Sequence, residues 1–118
     1  MEYAKRYLNE VKELAEKVSL SSLEKMITIL SDLKMKNGRI FFLGVGGSAA
    51  NCSHAVNDFR KIANIECYSP SDNVAELTAR TNDDGWSSVF KEYLKVSRLN
   101  KNDAVFVLSV GGGNKEKQ

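Results

Sequence analysis

At 118 residues, 42% of them hydrophobic and 27% charged, the chain has the size and balance of one globular domain able to bury a core, which excludes a disordered or fibrous polymer. Its 17 basic and 15 acidic side chains leave a net charge of +2, too small to imply a nucleic-acid or membrane-surface partner. Glu2, Lys5, Arg6, Glu10, Lys12 and Glu13 interrupt any apolar run at the start, so nothing there resembles a secretory signal, and no stretch is long enough to span a bilayer.

Residues 3–18 place Ala4, Tyr7, Leu8, Val11, Leu14, Ala15 and Val18 at three- and four-residue intervals, which predicts an amphipathic helix. A second helix follows, with Ser21 and Glu24 spaced as a capping box and Leu23, Met26, Ile27, Leu30 and Leu33 continuing the stripe to a stop at Asn37-Gly38. An α/β domain usually starts with a strand, so two leading helices suggest packing on a partner subunit or on the sheet.

Arg39 to Leu43 are mostly apolar without alternation, as in a parallel strand covered on both faces. Gly44, Gly46 and Gly47 follow at once, and Ser48 is placed to cap the next helix, expected from Ser48 to Ala63 with Ala55, Val56, Phe59 and Ile62 buried. Glycines there let a ligand approach the backbone, and a helix N-terminus favours an anion, so the stretch suits a phosphate. On the polar face, His54 and Asp58 are four residues apart and project from one side. That spacing serves a local ion pair, one metal or one proton transfer.

Glu66–Ser69 predicts a short second strand ended by Pro70, and Val74–Arg80 a short helix. Thr81 to Gly85 read as a polar loop in which Asn82 and Asp83 are either turn residues or ligand contacts. Trp86, Val89, Phe90, Tyr93, Leu94 and Val96 mark a further helix, and Ala104–Val110 the last strand, which runs into Gly111, Gly112, Gly113 and Asn114. Two parallel strands ending in glycine loops suggest two edges of one ligand site. With three strands and no crossover helix after the last, the chain reads as the N-terminal portion of a larger domain. Cys52 and Cys67 lack metal-ligand spacing and read as small buried thiols of a reducing, cytoplasmic compartment.

Gly44 to Ala49 satisfies the dinucleotide pattern G-x-G-x-x-A, with Glu66 about twenty residues on. Glu66 falls at the beginning of its strand, where a ribose-binding acid belongs at the end, and Asp72 follows Pro70 into a loop. No nucleotide cofactor is therefore expected.

GVGGSAANCSHAVNDF, with TNDDGW and VLSVGGGN downstream, resembles the phosphoheptose isomerases, the sedoheptulose 7-phosphate isomerases of the SIS (sugar isomerase) fold. The likeness covers nearly the whole chain and about the first two-thirds of a typical member. It implies an α/β fold, a three-layer parallel sheet of flavodoxin-like order flanked by helices, with residues 1–118 as one domain. Residues 1–37 would be the helical pair for subunit packing and residues 38–118 the first part of the core. A cytoplasmic homotetramer, a phosphorylated sugar as ligand, a place in lipopolysaccharide or capsule heptose synthesis and a role for zinc are implied as well.

By position, Val45, Gly46 and Gly47 fall where the family has an Asn-Gly-Gly substrate loop, followed by Ser48 at a phosphate contact. The resemblance places His54 on a zinc-binding histidine and Asp58 on a glutamate that serves as zinc ligand and proton-abstracting base. Asn82 and Asp83 match a substrate-contacting pair. Ser109 opens the phosphate loop, with Val110 and Gly111 in place of its hydroxyl residues and Asn114 at its last serine. The family's acid, a histidine, belongs to a part these 118 residues do not include, so the piece alone is expected to be inactive. A non-catalytic sugar-phosphate-binding module is the alternative reading.

Overall fold

The computed structural model describes residues 1–113, so Asn114 lies outside the described residues. Elements run α1 (Glu2–Glu16), α2 (Leu20–Met35), β1 (Ile40–Leu43), α3 (Gly47–Lys61), β2 (Cys67–Tyr68), α4 (Val74–Asp84), α5 (Val89–Val96) and β3 (Ala104–Val107), with single 3-10 turns at Pro70–Asp72 and Trp86–Ser88. No helix among the described residues is long and apolar enough to cross a membrane. The chain divides into two compact units, Met1–Ser31 and Asp32 onward.

In the first unit, α1 buries no residue, and the stripe predicted from its sequence, Tyr7, Leu8, Val11 and Leu14 included, is exposed. Ion pairs four residues apart, Arg6–Glu10, Lys12–Glu16 and Lys17–Glu13, support its solvated face at 3.8–3.9 Å. The second helix begins at Leu20, two residues earlier than a cap at Ser21 predicts. Ser19, not Ser21, is the cap, its hydroxyl accepting the Ser22 amide at 3.2 Å.

The second unit is built on a parallel sheet of order β2-β1-β3. Central β1 is dry: Ile40, Phe41 and Phe42 are at most 2% exposed, as its unbroken apolar run predicted. Phe42 meets Phe59 of α3 and Phe106 of β3 at ring-centroid distances of 5.2 and 5.4 Å, joining helix layer and sheet. Ile62, expected in this layer, is exposed because α3 ends at Lys61; Cys52 is the side chain α3 buries.

The register of β1 on β3 pairs Ile40 with Ala104 through Leu43 with Val107. An ion pair fixes its start. Arg39 donates to Asp103 from its amide (2.9 Å), from Nε (3.2 Å) and from Nη2 (2.7 Å), and the amide and side chain of Asn100 donate to the same carboxylate. Burial alone would push the Asp103 carboxyl up; the Arg39 and Asn100 hydrogen bonds and the guanidinium charge outweigh it and hold the group below its ordinary value.

Three predicted segments differ from the structure. The second strand is only Cys67–Tyr68, cut short where Pro70 turns the chain into a 3-10 turn. The predicted loop 81–85 is helical up to Asp84: Thr78 and Thr81 hydroxyls bond back to the Val74 and Leu77 carbonyls (both 2.7 Å), and the helix stops only at Gly85, with φ +82°. The last strand ends at Val107, three residues short, where the chain leaves the sheet toward the glycines.

Two stability predictions follow from this packing. Asp103 is 2% exposed and Arg39 22%, so Asp103→Asn strands a partly solvated cation and should cost about 3 kcal/mol in urea unfolding near neutral pH. Because the folded-state pKa is depressed, that contribution is complete above the unfolded value of about 3.9 and disappears as pH falls through the folded value; the gap between wild type and variant should close there. Gly44→Ala should destabilise by about 1–3 kcal/mol, since a Cβ would lie 2.7 Å from the Ser48 carbonyl and 2.9 Å from Cys52 Sγ, atoms that fix how closely α3 rests on β1.

Candidate functional site

Adjacent, in-register parallel strands release their chains at one level. Leu108 donates its amide to the Leu43 carbonyl at 2.9 Å, and beyond that bond both chains turn away through glycine. Since β2 lies on one side of β1 and β3 on the other, this is the point where the sheet order reverses, where open α/β sheets form a crevice.

A cleft of about 680 Å³ opens there. Leu43, Gly44 and Val45 line it from β1 and its turn, Gly47, Ser48 and Asn51 from α3, Phe90 from α5, and Val107, Leu108, Ser109 and Val110 from β3 and its turn. The two glycine-bearing turns thus share one cavity, as their sequence suggested.

The glycines have separate reasons. Gly44 is required by contact with α3, and Gly46 by its φ of +61°. Neither reason holds at Gly47, where an added Cβ would meet no atom within 4 Å. Ser48 does not cap α3: Gly46 is the N-cap, without a side-chain bond, and Ser48 sits in the first turn with its amide on the Val45 carbonyl at 3.2 Å. Its hydroxyl is therefore left beside the positive end of the helix, while Arg60 and Lys61 in the last turn complement the negative end. On the opposite wall, the Ser109 hydroxyl accepts the Gly112 amide at 3.0 Å, which leaves its own proton to donate outward. Gly112 and Gly113 follow with φ of +64° and +91°.

His54 and Asp58 form the expected pair, Nε2 to Oδ2 3.2 Å, with side chains 77% and 43% exposed. They do not line the cleft among the described residues. They continue the helical stripe that does, 47-51-54-58, so that His54 lies about 9 Å and Asp58 about 15 Å along the axis from Ser48. Side chains lean back toward the N-terminus of their helix, which shortens the reach. Gly46 and Gly111 belong to the two turns without lining the cleft. Asn82 and Asp83 sit exposed in the last turn of α4, with the Asn82 amide donating to Asp83 at 2.8 Å, and line no part of it either.

The sequence reading missed Asn51 and Phe90 as wall residues. Asn51 was findable, three residues from both Ser48 and His54; Phe90 was not, because only tertiary packing brings α5 to the end of β1. Zinc is a poor fit to these residues alone: His54 and Asp58 supply two donors, one short of a catalytic site's three protein ligands, and no cluster of three is present among the described residues. Both cysteines are buried, and desolvation pushes their thiols up, which disfavours the thiolate form a nucleophile needs.

No curated protein matches the chain. Among solved structures, a phosphoheptose isomerase, GmhA from Neisseria gonorrhoeae, superposes with a TM-score of 0.77 at 23% identity. The match covers 92% of this chain and 59% of that one, so the chain spans under two-thirds of the neighbour and shares its fold. A family model described as the SIS domain matches residues 3–117, nearly the whole chain, and the chain belongs to the SIS domain family.

Proposed function

We propose that the protein is the sugar-phosphate-binding part of an aldose–ketose isomerase, with sedoheptulose 7-phosphate as substrate and D-glycero-D-manno-heptose 7-phosphate as product. The observation that carries this reading is the single cleft shared by the turns after β1 and β3, with the His54–Asp58 pair farther along the same stripe of α3. A phosphate seated between Ser48 and Ser109 meets two hydroxyls, the α3 dipole and the backbone at Gly47, where the absence of a side chain leaves room for it.

With the phosphate so placed, the open sugar chain runs along α3 toward Asp58. The carboxylate removes a proton from C1 beside the C2 carbonyl, and protonation of that carbonyl oxygen gives an enediol. Return of a proton to C2, with loss of the O1 proton, yields the aldose. His54, whose Nε2 lies 3.2 Å from Oδ2, holds the carboxylate in place; the acid is not among the described residues. The unburied apolar stripe of α1 supports assembly with further copies, in line with the expected homotetramer.

A second reading, a binding module without catalysis, draws on the exposure of the pair and its place outside the cleft wall. NMR of sedoheptulose 7-phosphate with the full-length protein separates the two. Isomerisation is expected, reduced by about 10²–10⁴ in Asp58→Asn and retained in Asp58→Glu. Ligand binding with no turnover in any form, fructose 6-phosphate included, would leave only the binding module. Gly47→Ala should keep its melting temperature, because its Cβ meets no protein atom, yet weaken sedoheptulose 7-phosphate binding by about tenfold in calorimetry.

A further inference from the structure

The cleft wall is mostly hydrocarbon. Val45, Phe90, Val107 and Val110 line it with side chains that cannot pair with a hydroxyl. Asn51 is the exception. It lines the same cleft one turn beyond Ser48 and one turn before His54, about 4.5 Å along the helix axis from each. Its neighbours are committed elsewhere: the Ser53 hydroxyl pairs with Asp72, and Asn57 donates to Asp58 at 3.1 Å. Asn51 has no such partner among the described residues.

An amide carries two N–H donors and a carbonyl acceptor, so it can donate to one hydroxyl group and accept from it or from a second at once, whereas the Ser109 hydroxyl already accepts the Gly112 amide. Asn51 is exposed, so water is its competitor for that hydroxyl until the ligand covers it. We infer that Asn51 is a specificity-determining residue that hydrogen-bonds a mid-chain hydroxyl of the bound phosphosugar and so sets the chain's position between phosphate anchor and base. The inference rests on the phosphosugar reading above. It assigns Asn51 to the sugar chain and not to the phosphate.

The test is calorimetric titration of full-length wild type and Asn51→Leu with sedoheptulose 7-phosphate and, separately, inorganic phosphate. Leucine keeps the volume, suits a helix and removes both hydrogen-bonding groups. The expected result is a five- to tenfold loss, about what one hydrogen bond supplies, for sedoheptulose 7-phosphate, with inorganic phosphate bound as in wild type. Asn51→Gln, which retains the amide, should recover part of the loss and separates hydrogen bonding from packing. Equal affinities of wild type and Asn51→Leu for the sugar phosphate overturn the inference while the phosphosugar reading stands, as does an equal loss for both ligands, which would move Asn51 to the anion site. No binding of sedoheptulose 7-phosphate by wild type removes the reading and the inference together.

Discussion

The Arg39–Asp103 pair holds the starting ends of β1 and β3 level, and the site depends on that levelling. Strand side chains alternate with period two, so a slip of one residue would turn both Val105 and Val107 to the other face of the sheet and offset the two turns. Three donors from Arg39 and two from Asn100 satisfy the buried carboxylate, which makes the observed register the one in which no charge is left unpaired. The pair sits about 13 Å from the cleft, the length of the four intervening strand residues, and takes no part in its chemistry.

At the other end of the strands, three glycines within four residues divide the work. Gly44 lets α3 settle on β1, and Gly46 supplies a backbone angle that side chains resist. Gly47 does neither for the fold. Its open surround, on the first turn of a fifteen-residue helix, is where a ligand can come closest to the main chain. The cleft therefore sets two hydroxyls, Ser48 and Ser109, in a largely apolar wall, and the helical stripe 47-51-54-58 leads away from it.

Much of this was legible in the sequence, for local reasons. The unbroken run from Ile40 to Phe42 signalled a strand buried on both faces, the glycines marked its turn, and four-residue spacing alone put His54 beside Asp58. Where the reading failed, the deciding contacts were either subtle or distant. Polar residues 81–84 looked like loop because composition does not reveal hydroxyls bonding back into the helix. Ser48 matched the cap preference, but the positive φ of Gly46 moved the helix start one residue earlier. Phe90 reaches the cleft only through packing of α5, which no local pattern reveals.

The central claim is that two turns, more than sixty residues apart in sequence, act on one anionic ligand. Backbone amide NMR during titration with sedoheptulose 7-phosphate tests it directly. The account predicts that Gly46, Gly47 and Ser48 shift together with Ser109 to Gly113, along one saturation curve with a common dissociation constant. Shifts confined to one turn, or two turns saturating at different concentrations, would contradict it.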